Sequence, residues 1–303
     1  MNRRPYQSPT DVSLLQSFNA HAIAQTAGCG YLQPGDIPHH IFSGNKYYDP
    51  ADVLTIWEDE TGVVGWALAD PSHGGFDAQV RPELRGGDFD RDLLTFVEAH
   101  TVELMQRHGI DRDQLIVEGD RCDTARVALL KELGWHLLDE PPWVVNRAPL
   151  VDLPEPVLPA GYTIRATTGV DEVAALVAVH VGAFGSTWTP ELYRKVMESP
   201  GYAAEREFVV VAPDGAFAAF TVTWHDEVNR TGLFEPVGTH RDYQRRGLGK
   251  ALLLTVMHKM AAMGLEHAIV VNEGSNEASR NLYRSCGFQP WHLVDDYTKA
   301  VSQ

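Results

Sequence analysis

Residues 237–254, with the sequence VGTHRDYQRRGLGKALLL, decide the fold class of this chain. They read as a β-strand that runs into closely spaced glycines and then into an apolar helix. A helix that begins in this way presents unpaired backbone N–H groups at its N-terminus, where aligned peptide dipoles favour an anion. Gly247 and Gly249 would let the backbone approach a pyrophosphate closely. Three basic side chains would add charge at its rim, namely Arg245, Arg246 and Lys250.

Two common phosphate-binding patterns do not fit this stretch. A P-loop needs G-x-x-x-x-G-K-[ST], but Gln244 stands where the first glycine belongs, and Ala251 follows Lys250. The dinucleotide pattern G-x-G-x-x-G fails because Leu252 occupies the place of its third glycine. The spacing therefore disfavours both nucleotide hydrolysis and NAD binding.

The segment Gln244-Arg245-Arg246-Gly247-Leu248-Gly249 resembles the Q/R-x-x-G-x-G/A signature of the GNAT acyltransferases, whose loop binds the pyrophosphate of acetyl-CoA. A second segment, Asn276-Glu277-Ala278 followed by Leu282-Tyr283 and Gly287-Phe288, is similar to the closing motif of that family. The resemblance that these two segments carry extends over about residues 160–300. The resemblance implies an α/β fold with a mixed α+β sheet and acetyl-CoA as the acyl donor.

The resemblance also implies a role for each matched residue. The backbone of Val237, Gly238 and Thr239 would bond the pantetheine arm as an added strand does. Asn276 would bond the same arm, and Tyr283 would be the general acid that protonates the leaving sulfur. Tyr283 as an ordinary core tyrosine is the alternative. The full expected acetyl-CoA-binding set is Val237, Gly238, Thr239, Gln244, Arg245, Arg246, Gly247, Leu248, Gly249, Lys250 and Asn276.

The general base is expected to be Glu235, because a protonated amine must lose a proton before or during attack on the thioester. Several family members carry this base two residues earlier, where this chain has Leu233. Strand alternation predicts that residues 233, 235, 237 and 239 share one face. Glu235 could instead anchor the substrate or be a structural carboxylate. Residues 225–227 (HDE) are alternatives as bases or as an acidic clamp on a cationic substrate.

The first half of the chain repeats the same order of elements. Residues 147–161 (RAPLVDLPEPVLPAG) contain four prolines and separate the halves. Before them the patterns predict a helix at 14–25, strands at 53–59, 63–69 and 76–81, a helix at 93–107, a strand at 114–118 and a helix at 124–133. After them the patterns include a helix from about 277 to 285, with Gly287 at the position of a C-cap glycine. We therefore predict two tandem GNAT folds: a degenerate domain at 1–148, a linker at 149–160 and an intact domain at 161–303.

The first copy departs from the motifs at three places. Asp88 stands where the last signature glycine should be, Leu130 replaces the tyrosine, and Asp123 replaces the asparagine. A carboxylate at that loop would repel a pyrophosphate, so catalysis by this half is expected to be lost, with residual acetyl-CoA binding left open. The tandem arrangement resembles in outline the two-domain mycothiol synthase family of actinobacteria.

Composition and charge limit the classes of binding partner to expect. The chain has 303 residues, 44% of them hydrophobic, and a formal net charge of −16, so nucleic acid and anionic membranes are not expected as partners. The segment 1–13 lacks the apolar stretch of a secretory signal. Three cysteines are too few and too scattered for a disulfide framework or a thiolate metal site, and no histidine pair has ligand spacing, so we expect no metal and a cytoplasmic protein.

Two functions follow from these observations. The first is an acetyltransferase that moves an acetyl group from acetyl-CoA to the amine of a small molecule or peptide, by direct attack in a ternary complex. The acidic balance makes cationic amines the first acceptors to test, with a hydroxyl or thiol acceptor as a third possibility. The alternative is a non-catalytic protein that binds or senses acyl-CoA, which Leu233 at the usual base position favours. The sequence does not determine the oligomeric state.

Overall fold

The computed structural model describes residues 2–301, which form two compact units. Unit 1 comprises the chain up to Trp143 together with the chain from His292 onwards, and unit 2 is Val144–Trp291. Each unit contains helices and a sheet of both parallel and antiparallel strands, as the predicted α/β class requires. Residues 1, 302 and 303, which the predicted domains include, lie outside the described residues.

Unit 1 repeats much of the predicted order of elements. In chain order its elements before residue 143 are β1 (Asn2–Pro5), α1 (Pro9–Thr26), α2 (Asp36–His39), α3 (Pro50–Val53), β2 (Leu54–Asp59), β3 (Gly62–Asp70), β4 (Gly75–Val80), α4 (Asp88–Arg107), β5 (Gln114–Asp120), α5 (Thr124–Glu132) and β6 (His136–Leu137). Strands β1 to β5 lie side by side in chain order.

Unit 2 has a closely similar series. Its elements are β7 (Trp143–Pro149), β8 (Thr163–Ala166), α6 (Val173–Phe184), α7 (Pro190–Met197), β9 (Glu207–Val211), β10 (Phe217–Asp226), β11 (Thr231–Thr239), α8 (Leu248–Ala262), β12 (His267–Glu273) and α9 (Glu277–Ser285). The sheet order is β7-β12-β11-β10-β9-β8. In both units a helix, a strand and a second helix follow the short glycine-containing loop in that order, so the predicted repeat of one fold is present in the structure.

The last strand of the chain, β13 (Gln289–Ala300), completes the sheet of unit 1. It pairs antiparallel with β5 over the register Val294↔Asp120 to Ala300↔Gln114, and β6 also pairs with it. Unit 1 is therefore built from two separate chain segments. The compact units change at Trp143 and Trp291, whereas the prediction drew its boundaries at 149–160 from the prolines.

Local sequence explains the best-predicted elements. Helix α9 has the predicted bounds Glu277–Ser285, because the Asn276 side chain caps its start and Gly287, at φ 94°, lies just after its end. Helix α8 buries an apolar face that includes Leu252 and Val256. Across residues 2–301 no helix is long and apolar enough to cross a membrane.

Two cysteines form a disulfide in unit 1. Cys29 and Cys122 are 93 residues apart in sequence, and their Cα atoms are 5.9 Å apart. The expectation that the cysteines are too scattered is thus wrong for this pair, because the fold brings distant loops together. The third cysteine, Cys286, is buried and free.

Candidate active site

The candidate site of unit 2 lies where the parallel strands β11 and β12 stop pairing. Their register runs from Thr231↔His267 to Phe234↔Val270, within the described residues of both strands. On its other side, β11 stays paired with β10 as far as Thr239↔Ala219. The final residues of β11 thus keep one edge available to an added strand, as the resemblance implies for the pantetheine arm.

A β-bulge interrupts β11 at the candidate base. Thr223 pairs with Phe234 and Thr221 pairs with Val237, so β11 has one more residue than β10 between these two register pairs. Glu235 is one of the two residues in the bulge, and its carbonyl accepts a hydrogen bond from Trp224 Nε1 at 2.9 Å. Bulges commonly redirect side chains next to active sites.

The bulge corrects the predicted alternation. Residues 233, 235, 237 and 239 were expected on one face, but one extra residue shifts the pattern by one position. Leu233 packs in a core cluster with Trp224, whereas Val237 packs against the cluster that contains Phe234. Leu233 is 3% exposed, so a carboxylate two residues before Glu235 would have lain in an apolar core.

The signature loop lies between a 3-10 turn, Arg241–Tyr243, and the start of α8. Gln244 Nε2 donates to the carbonyl of Thr239 at 3.3 Å, and Arg246 donates to the hydroxyl of Tyr162 at 2.8 Å. Residues 244–247 are solvent-exposed. The loop is therefore held by its own side chains while its backbone faces solvent.

The two signature glycines have different physical roles. Gly247 is the N-cap of α8 at φ 78°, and a Cβ there would meet nothing within 4 Å. A Cβ on Gly249 would lie 3.2 Å from Leu282 Cδ2, so this glycine allows α8 to pack closely on α9. Because the cap residue offers no side-chain acceptor, the first N–H groups of α8 are available to an anion. This arrangement fits the pyrophosphate of acetyl-CoA.

Tyr283 and Glu235 are brought within electrostatic range of each other. Tyr283 lies on α9, is 6% exposed, and packs its ring 5.9 Å from that of Phe288. Burial raises the pKa of Tyr283 well above 10, and the negative charge of Glu235 raises it further. The hydroxyl therefore stays protonated at neutral pH and can donate its proton.

Asn276 has a structural duty that the sequence did not reveal. Its Oδ1 accepts a hydrogen bond from the backbone N–H of Ser279 at 3.0 Å and so caps α9. The amide nitrogen of the same side chain still has donors that suit a pantetheine carbonyl. In unit 1, Asp123 caps α5 in the same way through the N–H of Arg126, at 3.0 Å.

The alternative bases lie at the other end of the β10–β11 hairpin. Asp226 is buried and accepts two hydrogen bonds from Asn229, which commits it to the turn. Burial and then Arg206 lower the pKa of His225 to about 4, so its ring is neutral at pH 7. Glu227, the third alternative, is exposed, and its role as a base or as part of an acidic clamp stays a prediction. Trp224 and Tyr162 also support the site through hydrogen bonds, and no sequence motif marks either residue.

In unit 1 the counterpart of the signature loop is closed by an internal carboxylate. The backbone N–H of Gly86 donates to Asp90 Oδ2 at 2.8 Å. Asp90 is fully buried and pairs with Arg126 at 2.5 Å. Asp88, which the sequence singled out, is exposed at the start of α4. Asp90 is therefore the residue that takes the place of an anion here, and sequence spacing did not single it out.

Comparisons with known proteins identify the family of this chain. The Acetyltransferase (GNAT) family pattern matches residues 173–288. A mycothiol acetyltransferase from Streptomyces griseus subsp. griseus is 32% identical over 224 residues, covering 71% of this chain and 68% of the relative. Another from Nocardia farcinica is 28% identical over 254 residues, covering 78% and 79%.

Solved structures show the same tandem fold. A tandem GNAT protein from the clavulanic acid biosynthesis pathway has a TM-score of 0.68 at 18% identity, covering 100% of this chain and 99% of that one. A GCN5-related N-acetyltransferase from Sphaerobacter thermophilus has a TM-score of 0.65 at 18% identity, covering 100% and 96%. The predicted fold class and the predicted enzyme class are both confirmed. This chain belongs to the GNAT family of acetyltransferases.

Proposed function

We propose that unit 2 transfers the acetyl group of acetyl-CoA to the amine of a small molecule or peptide by direct attack in a ternary complex. The observation that carries this proposal is the exposed signature loop at the start of α8, with Tyr283 on helix α9 and Glu235 in the bulge of β11. A base for the acceptor amine and an acid for the leaving sulfur are the two groups that the reaction needs.

Each residue acts at one stage of the transfer. Glu235 accepts a proton from the ammonium group of the acceptor, which gives the nitrogen a free electron pair. The nitrogen then bonds to the acetyl carbonyl carbon, and the bond from that carbon to sulfur breaks. Tyr283 donates its hydroxyl proton to the departing sulfur, and the nitrogen loses its second proton to the resulting tyrosinate through water, so the products are a neutral amide and a free thiol. Tyr283 is thereby protonated again, and Glu235 releases its proton to solvent.

The backbone holds the acyl donor in this scheme. The first N–H groups of α8 and the side chains of Arg245 and Lys250 would bind the pyrophosphate, because both side chains are charged and exposed at the loop. The edge of Val237, Gly238 and Thr239 would bond the pantetheine arm. Arg246 is already bonded to Tyr162, so its charge would act on the pyrophosphate from a fixed position.

We propose the acceptor by its chemical class, an amine. The relatives are named mycothiol acetyltransferase, so we take an amine precursor, a mycothiol molecule without an acetyl group, as the first acceptor to test. A net charge of −16 also favours cationic amines over anionic ones. A cytoplasmic location agrees with the use of acetyl-CoA and belongs to the same proposal.

The test is steady-state release of the coenzyme A thiol with this precursor and with a panel of amines. Tyr283→Phe and Glu235→Gln should each lower kcat by about 10²-fold or more, while the KM for acetyl-CoA changes little. Two matched controls are Tyr297→Phe, a buried tyrosine of unit 1, and Glu227→Gln, an exposed carboxylate of unit 2. Both controls should keep wild-type kcat.

Three results would contradict the proposal. A wild-type kcat in Tyr283→Phe would show that Tyr283 is not the general acid. A lower kcat in Glu227→Gln, with wild-type kcat in Glu235→Gln, would show that Glu227 is the base. If acetyl-CoA raises the melting temperature but no amine is acetylated, binding of acyl-CoA without transfer is the better description.

A further inference from the structure

The disulfide of unit 1 joins two loops that flank the counterpart of the acetyl-CoA site. Cys29 lies in the segment 27–31, between α1 and α2, and Cys122 lies between β5 and α5. In unit 2 the corresponding strand-to-helix connection, between β12 and α9, contains Asn276. The segment 27–31, called the plug segment below, is thereby tied to the helix cap of the degenerate copy.

The plug segment makes hydrogen bonds to several parts of this counterpart site. The backbone N–H of Gly30 donates to Asp120 Oδ2 at 3.2 Å, at the end of β5. The hydroxyl of Tyr31 donates to the carbonyl of Val80 at 2.7 Å, at the end of β4. In unit 2 the matching strand ends with Thr239, whose backbone is proposed to bond the pantetheine arm. The plug segment thus uses backbone that a second acetyl-CoA would need.

Arg85 completes the closure from the counterpart of the signature loop. Its guanidinium donates to the carbonyl of Gly30, pairs with Asp123 at 2.7 Å, and lies 4.5 Å from the ring centroid of Tyr31. A Cβ on Gly30 would lie 2.4 Å from Asp123 Oδ2, so only glycine permits this approach. The groove of unit 1 is therefore filled by its own chain.

The disulfide is placed where a small thiol can reach it. Cys122 is exposed and Cys29 is half-buried, whereas the remaining cysteine, Cys286, is buried in unit 2. Asp120 Oδ1 lies 3.0 Å and His292 Nδ1 lies 3.5 Å from Cys122 Sγ. Disulfides in a reducing compartment are usually transient or redox-sensing, and exposed ones exchange most readily.

We propose that Cys29 and Cys122 form a reversible thiol–disulfide site that exchanges with low-molecular-weight thiols, and that its disulfide form fastens the plug segment in the degenerate groove of unit 1. The identity of that groove rests on the acetyl-CoA site proposed for unit 2. The thiol exchange itself does not.

The exchange balances with a small thiol as the reductant. Its thiolate attacks the exposed Cys122 Sγ, the bond to Cys29 Sγ breaks, and Cys29 leaves as a thiolate that takes a proton. A second small thiol attacks the mixed disulfide on Cys122, which releases the Cys122 thiol and a small-molecule disulfide. In the reverse direction, the low-molecular-weight disulfide is the oxidant.

The test uses the full chain equilibrated with defined ratios of reduced and oxidised glutathione, followed by alkylation and peptide mass analysis. As the fraction of reduced glutathione rises, Cys29 and Cys122 should change together from disulfide-bonded, and so not alkylated, to alkylated. The alkylation of Cys286 should not change. Hydrogen exchange of peptides covering residues 27–31 should be about 10-fold faster in the reduced form. The melting temperature of unit 1 should fall by roughly 10 °C on reduction.

Variants separate the site from general effects of reductant. The double variant Cys29→Ser/Cys122→Ser should show the faster hydrogen exchange of residues 27–31 at every glutathione ratio. Cys286→Ser should behave like wild type. The proposal is overturned if Cys29 and Cys122 never form the disulfide, or if hydrogen exchange of residues 27–31 is equally fast in the oxidised and reduced protein. It is also overturned if the reduced protein, dialysed against ZnCl₂, retains one zinc that protects both thiols, since Cys29, Asp120 and Cys122 would then be a metal site.

None of these readouts uses acetyl transfer. Failure of the proposed transfer in unit 2 would therefore leave the thiol exchange standing, and failure of the exchange would leave the transfer standing.

Discussion

Asp90 and Arg126 form a buried ion pair in unit 1, with 2.5 Å between Oδ1 and Nη2. The Asp90 carboxylate also accepts from the N–H of Gly86 at 2.8 Å, so the loop of unit 1 carries its own anion. Asp90 lies four residues after Gly86, whereas the residue four positions after Gly247 in unit 2 is Ala251. Because alanine has no charge, the loop of unit 2 keeps its N–H groups available to an anion from solution.

Loss of the Asp90 charge should destabilise unit 1 without creating a binding site. Asp90→Asn leaves the buried guanidinium of Arg126 without its anion, so we expect a loss of about 3–5 kcal/mol in the free energy of unfolding. Glu103→Gln is the control, because the Glu103–Arg107 pair at 2.8 Å is exposed and should contribute less than about 1 kcal/mol. Urea denaturation measures both, and equal losses would contradict the prediction.

Acetyl-CoA binding should depend on the loop of unit 2 alone. Gly247→Ala places a side chain at φ 78° in the loop, so the dissociation constant should rise about 10-fold or more. Gly86→Ala is the matched change in unit 1, where the new Cβ would lie 2.8 Å from Ala125 Cβ. It should lower the stability of unit 1 but leave the dissociation constant unchanged. Isothermal titration calorimetry distinguishes the two, and weaker binding in Gly86→Ala would show that unit 1 also binds acetyl-CoA.

The parts of the fold that sequence predicted are those with local causes. Helix α9 was predicted with the observed bounds because its cap and terminal glycine are encoded within a few residues. Strand β7 was not predicted, and its last three residues fall in the proline-rich stretch 147–161 that was interpreted as separating the halves, although Pro149 only ends the strand.

Features that depend on distant partners could not be predicted. The bulge at Glu235 is visible only in the register against β10, so strand alternation gave the wrong face for its neighbours. The Cys29–Cys122 contact spans 93 residues, and no local pattern announces it. Motifs therefore indicated where the candidate site lies, whereas the position of Glu235 in a bulge could be found only from the tertiary structure.

Tyr283 should not limit activity at alkaline pH. Burial and the charge of Glu235 both raise its pKa, so the hydroxyl remains protonated throughout the range from about pH 6 to 9. Glu235→Gln removes one cause and should lower the pKa of Tyr283. Ultraviolet difference titration, with Tyr283→Phe to identify the signal, measures the change. A Tyr283 pKa that rises or stays constant in Glu235→Gln would show that the carboxylate does not face the ring.

A buried carboxyl group in unit 2 should make stability depend on pH. Glu207 is fully buried, and the hydroxyls of Tyr193 and Tyr202 each donate to it at 2.5 Å. Burial raises the pKa of Glu207 to about 7, from 4.5. The folded state therefore holds a proton that the unfolded state releases between these values, so its stabilising effect is complete below about pH 4.5 and is lost as the pH rises through 7.

The difference should approach about 3 kcal/mol in the free energy of unfolding of unit 2 between pH 5 and pH 8. Glu207→Gln is neutral at every pH and should remove most of this dependence. Glu205→Gln, an exposed carboxylate two residues away, should keep it. Urea denaturation at both pH values provides the measurement. The same pH dependence in wild type and Glu207→Gln would mean that another group is responsible, because only the Glu207 proton distinguishes these two proteins.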